Sequence, residues 1–281
     1  MNFALRGLGK WGQTYLRTLK EVEGAKVIAI SSRNEARYHA LPEELKTANH
    51  IANFHKMLTE CIEINTVILA SHPSEYFDLA KASLLHDKNV ICEKPCLMSP
   101  TQLSQLEDLA RSKDRIFFTD YTNLFHKIIE TMKGSIGKHL DVKPFLKLVN
   151  TGNGPFREGY TDFWDYGSHV ISVLYYLFPN TYFKITEYSK DEDGNHVLKL
   201  SGPEADADLT FGNRSAERKH SFTLTHYYPI YWANDRTENP LKLMLENFSQ
   251  GKIASNTDLT RKISSLLLAV EDMNKNSQKM S

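Results

Sequence analysis

The chain has 281 residues, 41% of them hydrophobic and 24% charged, enough apolar content for two modest domains, each with a packed core. Lys plus Arg and Asp plus Glu both number 34, so no net basic field exists to gather nucleic acid or an anionic membrane surface, and neither partner is expected. Cys61, Cys92 and Cys96 lack the paired spacing of a zinc site and read as reduced packing residues; the histidines show no metal-like spacing either, so no metal is expected. No apolar run approaches the roughly 18 residues of a membrane span. The first motif starts at Gly7 and leaves no space for a signal peptide, so a cytoplasmic protein is the expectation.

The chain opens on the short run Asn2-Phe3-Ala4-Leu5-Arg6, then Gly7-Leu8-Gly9-Lys10-Trp11-Gly12, then Tyr15, Leu16 and Leu19 at helical spacing. Strand, glycine turn and helix in that order suit a dinucleotide. Gly7 would permit the tight turn, Gly9 the approach of backbone to a pyrophosphate, and Gly12 the close packing of helix on strand. The helix N-terminus would offer its free N–H groups to phosphate. An ordinary glycine-rich turn between strand and helix can carry the same string.

Residues 25–30 are the next predicted strand, apolar and β-branched, and it ends at Ser31-Ser32-Arg33-Asn34. In NAD-binding folds an acidic residue about twenty positions past the glycines holds the ribose 2′-hydroxyl. None stands at this strand end. Ser32 and Arg33 do, and a hydroxyl beside a guanidinium suits a 2′-phosphate, which favours NADP over NAD. Arg33 as a solvated loop residue and Glu35 as a ribose ligand are the alternatives.

A helical stretch follows over 35–41, with a helix-like segment at 55–58. Strand 65–70 is broken by Ser71-His72-Pro73, helix 74–86 leads to strand 89–92, and that strand stops at Glu93-Lys94-Pro95. Helix 101–112 and strand 115–119 complete the series. This βαβα alternation predicts an α/β class, a doubly wound parallel Rossmann sheet in a first domain of residues 1–120. Residues 121–281 read differently: helix 125–133 ended by Gly134, strand 144–150, a turn or loop at 151–155, and a helix over 163–178. Three or four alternating segments come next, near 183–188, 196–201, 207–211 and 221–225, and then helices 241–248 and 259–273. Such hairpins predict an α+β domain with an open, mostly antiparallel sheet, its C-terminal helix free to pack back on the first domain.

Two places could carry chemistry. Lys94 directly follows a parallel strand, hence the carboxyl edge where open α/β sheets bind ligands, although a surface lysine before proline would look the same. Asp165 and His169 stand four apart at the start of a predicted helix, hence on one face of it. They could meet a substrate together, or His169 could be a satisfied buried residue.

Taken together these pieces resemble the Gfo/Idh/MocA oxidoreductases, along nearly the whole chain. The resemblance rests on residues 7–12, on 67–73, and on Cys92-Glu93-Lys94-Pro95 as a version of the family's EKP motif. It continues in Tyr121 at the domain junction, Gly134-Ser135-Ile136-Gly137, Asp165-x-Gly167-x-His169, and residues 240–248. It implies an NAD(P)-dependent dehydrogenase or reductase acting on a sugar, polyol or nucleotide-linked sugar. Lys94 would contact the reacting oxygen and the nicotinamide region, His169 would exchange the proton and Asp165 would orient substrate or base. The cofactor would lie on Gly7 to Gly12, Ser32, Arg33, Ser71, His72, Pro73, Glu93 and Lys94. These roles are chemically coherent, because hydride leaves a C–H only as the neighbouring hydroxyl loses a proton; imidazole is a suitable acceptor, and an ammonium stabilises the developing alkoxide.

The arginine often found after the junction tyrosine is replaced around Asn123-Leu124, and the second acidic residue past the histidine by Ser172 and Val173. These departures bear on the substrate. Tyr121, Asn123, Arg157, Tyr160 and Trp164 are the candidate substrate contacts, with packing of the domain core as the alternative for the aromatics. A homo-oligomer through the C-terminal sheet is a further expectation. A non-catalytic dinucleotide-sensing regulator and an imine or biliverdin-type reductase are the rival functions.

Overall fold

Five short, mostly apolar stretches and the two-residue strand Asn49–His50 build the first sheet, and such apolar strands need cover on both faces. The computed structural model describes residues 1–46, 48–136, 142–154, 156, 161–226, 228–233 and 237–279, with side chains to residue 276. In chain order the elements are β1 (Asn2–Arg6), α1 (Lys10–Leu19), β2 (Lys26–Ser31), α2 (Glu35–His39), β3 (Asn49–His50), α3 (Phe54–Glu60), β4 (Thr66–Leu69), α4 (Tyr76–Leu85), β5 (Asn89–Glu93), α5 (Pro100–Ser112) and β6 (Phe117–Asp120). There follow α6 (Lys127–Ile136), β7 (Phe145–Asn153), α7 (Ser168–Leu177), β8 (Lys184–Lys190), β9 (His196–Ser201), β10 (Asp206–Gly212), β11 (Arg214–Thr225), β12 (Ile230–Ala233), α8 (Pro240–Ser249) and α9 (Thr257–Lys279).

The chain divides into two compact units, Met1–Asp120 with Pro240–Thr260, and Tyr121–Asn239 with Arg261–Ser281. The division differs from a single cut after residue 120, because α8 and the segment behind it cluster with the first unit. In that unit every strand pairing is parallel and the order is β3-β2-β1-β4-β5-β6. The order reverses between β1 and β4, and ligands of such sheets bind at the carboxyl ends beside that point. One face presents Ala4, Val67, Leu69, Val90, Cys92 and Phe117 to a core shared with Met57, Tyr76, Leu84, Leu103 and Leu106 of α3, α4 and α5. The two-residue period puts Phe3, Leu5, Ile30, Ile68, Ile91 and Phe118 on the other face. There Phe118 meets Phe248 of α8 with ring centres 6.3 Å apart. All three cysteines are buried free thiols, and burial pushes Cys96 up to about 12, so it stays protonated.

The second sheet runs β12-β11-β7-β10-β9-β8; only β7 and β10 are parallel, and the other pairings are antiparallel. This is the α+β layer that the turn-rich second half predicts. Leu146 and Leu148 of β7, Leu198 and Leu200 of β9, and Leu209 and Phe211 of β10 are buried, at the alternate positions of half-buried strands. Helix α7, apolar nearly all round, packs on β7 and β10, as a helix enclosed on most sides must.

Several predicted boundaries move. Helix α6 continues through Gly134 to Ile136, β7 continues through Gly152 to Asn153, and β11 begins at Arg214. A glycine in a helix or strand costs only about 1 kcal/mol, which tertiary packing overrides. Strand β12 was not foreseen; its Trp232 stacks on Phe222 of β11 at 4.9 Å. Among the described residues no helix is long and apolar enough to cross a membrane.

The returning segment completes the first sheet in a specific way. β6 is an edge strand, and its outward backbone groups find side chains in place of a neighbour. Asn256 accepts from the Thr119 N–H and donates to the Thr119 carbonyl, both at 2.8 Å, and Ser255 Oγ accepts from the Phe117 N–H at 3.1 Å. Thr119 is fully buried. Asn256→Ala therefore leaves one buried donor and one buried acceptor unpaired, and urea unfolding should show a loss of roughly 2–4 kcal/mol.

Candidate functional site

The glycine turn follows from two contacts that leave no space for side chains. Gly7 has φ +105, and a Cβ on it would lie 2.5 Å from the Ala70 carbonyl oxygen; one on Gly12 would lie 2.1 Å from the Gly7 carbonyl oxygen. A Cβ on Gly9 would meet nothing within 4 Å. Two glycines thus serve close packing, and Gly9 faces open space. Gly9 is the N-cap of α1, makes no side-chain cap, and no acidic residue stands in the first turn. The first N–H groups of α1, from Lys10, Trp11 and Gly12, therefore lack intrahelical acceptors and form a phosphate-binding end. Leu8 is buried beneath the turn and Lys10 is exposed. Across from it, the Ser71 Oγ is buried without a hydrogen-bond partner, while His72 caps the turn at Pro73–Glu75 through Ser74. The residues present fit a bound dinucleotide phosphate.

At the end of β2, Ser32 is buried with its hydroxyl on the Asn34 carbonyl at 3.2 Å. Arg33 is 74% exposed, and its Nη2 lies 2.8 Å from Glu75 Oε1. Arg6, the last residue of β1, is buried and donates to Ser31 Oγ at 3.0 Å.

At the carboxyl ends of β5 and β6, Glu93 and Asp120 are partners in register and both are buried. The Tyr15 hydroxyl of α1 donates to Asp120 and lies 3.3 Å from Glu93 Oε2. Burial first, then the two carboxylates, holds the Tyr15 hydroxyl well above the usual phenol range, so it remains a donor. Lys94 comes next after Glu93 and is itself buried, at the sheet edge where ligands are received.

In the second unit the helix predicted from residue 163 begins as a single π turn, Phe163–Gly167, before α7. Such turns are rare and concentrate at functional sites. This one is held from outside: the Asn150 amide donates to the Tyr166 carbonyl at 3.1 Å, the Tyr166 hydroxyl donates to the Gly154 carbonyl, and Gly167 lies against Leu267 and Phe211. Asp165 sits inside the turn, 5% exposed, and His169 follows as the second residue of α7, half-buried.

Behind His169 lies a run of imidazoles. Its ring centre is 6.5 Å from that of His220, which is 6.4 Å from that of His126. His126 Nδ1 lies 3.1 Å from Glu238 Oε2. The Asn123 amide nitrogen lies 3.2 Å from His220 Nε2; an amide N–H donating there places the ring proton on Nδ1. Burial, followed by the charges of His126 and Arg218, pulls His220 down to about 3.

Tyr121 is buried directly after β6. Asn123 is buried with its amide on His220, and Trp164 is buried with its indole N–H toward Glu271 at 3.4 Å; both side chains lie in the packed interior of the second unit. Arg157, Tyr160 and Gly137 lie outside the described residues. Lys94 belongs to the first unit, Asp165 and His169 to the second. Among the described residues no group of His, Cys, Asp or Glu is arranged to hold a metal. Sequence reading missed Arg6, Tyr15, Glu75, Asp120 and His220. Arg6 had a signal, as a charged residue in an otherwise apolar strand just before the first glycine.

A histidine whose folded value lies below its unfolded one contributes stability that is full above about pH 6.5 and is lost as pH falls toward 3. The slope from His220 should approach about 1.4 kcal/mol per pH unit in that window. Urea unfolding at pH 7, 6 and 5 should show a flatter acid decline for His220→Gln than for the wild type.

A family model described as "Oxidoreductase family, NAD-binding Rossmann fold" (GFO_IDH_MocA) matches residues 1–121. Myo-inositol 2-dehydrogenase of Thermotoga maritima is 26% identical over 143 residues, 49% of this chain and 42% of that protein. The chain matches less than half the length of its first curated relatives, 42% and 44%. Scyllo-inositol dehydrogenase of Lactobacillus casei, with bound NAD(H) and scyllo-inositol, superposes with a TM-score of 0.83 at 13% identity, over 98% of this chain and 97% of that one. A mutant 3-ketoreductase of Actinomadura kijaniata, in complex with TDP-benzene and NADP, has a TM-score of 0.79 at 14% identity, over 97% of each chain. These two likenesses show the fold. The family match itself covers residues 1–121, the part of the chain that carries the glycine turn and Lys94.

Proposed function

We propose that the chain is an NAD(P)-dependent oxidoreductase that interconverts a hydroxyl and a carbonyl on a sugar, polyol or nucleotide-linked sugar. The observation that carries the reading is the glycine turn, where the family match and the geometry coincide: two glycines packed too tightly for a Cβ, one facing open space, and an uncapped α1 N-terminus. The scyllo-inositol and TDP-linked ligands of two structurally similar proteins support the substrate class. The nicotinamide ring, when bound, supplies or accepts the hydride.

The chain's own residues do the rest. The backbone N–H groups at the start of α1 hold the pyrophosphate. Lys94 stabilises negative charge on the reacting oxygen, His169 takes or returns the hydroxyl proton, and Asp165 orients substrate or base. Tyr121, Asn123, Arg157, Tyr160 and Trp164 are the proposed substrate contacts. Ser32 and Arg33 receive a 2′-phosphate, which favours NADP.

The test is turnover by the purified chain with both cofactors and a panel of inositols, sugars and nucleotide sugars. Lys94→Ala should lower turnover about 100-fold or more while cofactor still binds; an unchanged rate removes Lys94 from the chemistry. Binding of cofactor without turnover across the panel favours a dinucleotide-sensing regulator. Arg33→Ala should weaken NADPH more than NADH in a fluorescence titration, and equal losses remove the NADP preference.

A further inference from the structure

Three charged side chains from three different segments gather at the carboxyl edge of the first sheet, two of them in an ion pair and the third within their electrostatic reach. Arg6 closes β1, Arg33 follows β2 by two residues, and Glu75 ends the short helical turn Pro73–Glu75 beyond β4. Arg6 is 7% exposed. Its Nη1 is committed to Ser31 Oγ at 3.0 Å and the Ala52 carbonyl at 3.5 Å, its guanidinium lies 5.8 Å from the centre of the Phe54 ring, and its Nε is buried without a hydrogen-bond partner. Glu75 is also incompletely satisfied. Oε1 pairs with Arg33 at 2.8 Å, whereas Oε2 is buried with no hydrogen bond. The three feel one another electrically: burial lowers Arg6, Glu75 pushes it back up, and Arg33 lowers it again.

The cluster carries two positive charges and one negative. Arg6 cannot leave, since its guanidinium is enclosed and bonded within the unit. Arg33 can, being mostly exposed and held by a single ion pair of the kind that is worth little in water. Glu75 therefore sets how available Arg33 is. It occupies the guanidinium that a 2′-phosphate would need, and its charge opposes that phosphate. It is also an acceptor of the type that a ribose 2′-hydroxyl prefers.

From this geometry we infer that Glu75 is a specificity-determining residue for the cofactor's 2′ position, a counterion on Arg33 that a 2′-phosphate has to displace and that a 2′-hydroxyl can use. Arg6 supplies the fixed positive background against which the exchange takes place. The chain then keeps a preference for the phosphorylated cofactor that its own carboxylate restrains. The inference rests on the dinucleotide reading of the glycine turn.

The experiment is direct binding of NADPH and NADH by protein fluorescence, with 2′,5′-ADP and 5′-ADP as fragments that carry no nicotinamide. Glu75→Gln should raise the ratio of NADPH to NADH affinity about fivefold, the scale of one exposed ion pair. The two fragments should follow the same ratio. In an Arg33→Ala background the Glu75→Gln change should have a clearly smaller effect on the ratio, because the part that acts by occupying Arg33 is gone. Glu75→Ala serves as the second variant if the Gln protein fails to fold. An unchanged ratio in the single variants, or a rise of the same size with and without Arg33, overturns the role of Glu75. Failure of the wild type to bind any of the four compounds would instead overturn the dinucleotide reading itself.

Discussion

The front of the molecule depends on a contact made without side chains. The end of β1 and the first turn of α1 lie so close that a methyl group on Gly12 would stand 2.1 Å from the Gly7 carbonyl oxygen. That proximity points the first N–H groups of α1 past the sheet edge, at the place where strand order reverses between β1 and β4. The strands behind it are apolar because both their faces are covered, and the polar residues they do carry collect at their carboxyl ends: Arg6, Ser31, Glu93 and Asp120 are all buried there. Burying charge is costly unless each group finds partners. Tyr15 serves two carboxylates and Ser31 serves Arg6, so one end of the sheet is polar and ordered while its middle is an ordinary core.

Much of this was legible in the residues. Glycine spacing, the apolar run ahead of it and the helical period behind it identify β1, the turn and α1, and the βαβα rhythm up to residue 120 identifies the sheet. Lys94 could be placed at a strand end because a short β-branched run stops at Glu93. What escaped depends on packing. Gly134 and Gly152 read as breaks, yet α6 and β7 run through them. At Gly152 a side chain would meet the Tyr166 hydroxyl at 3.0 Å, so the residue that weakens the strand locally makes room for the π turn. That turn has no signature of its own, since Asn150, Gly154, Phe211 and Leu267, distant in the chain, impose it. The Asn123–His220 and His126–Glu238 pairs join positions 97 and 112 residues apart, beyond the reach of any local pattern.

The second unit solves the same problem of interior polarity with different residues. Where the first unit buries carboxylates around a phenol, the second buries imidazoles, and it keeps His220 neutral by enclosing it with Asn123 on one ring nitrogen. A neutral ring there adds no charge behind His169. Asn123 faces that ring with an amide, and a permanent cation in its place would make a different neighbour for an imidazole.

The side-chain cover on β6 links folding to the order of synthesis. A ribosome making this protein releases all six strands of the parallel sheet by residue 120, yet Ser255 and Asn256 emerge only after the whole second sheet has been made. During that interval the last strand exposes an unsatisfied backbone edge, the feature through which β-proteins recruit unwanted neighbours. The first unit is early in sequence and late in completion, and a fragment ending at the apparent domain boundary would keep that open edge permanently.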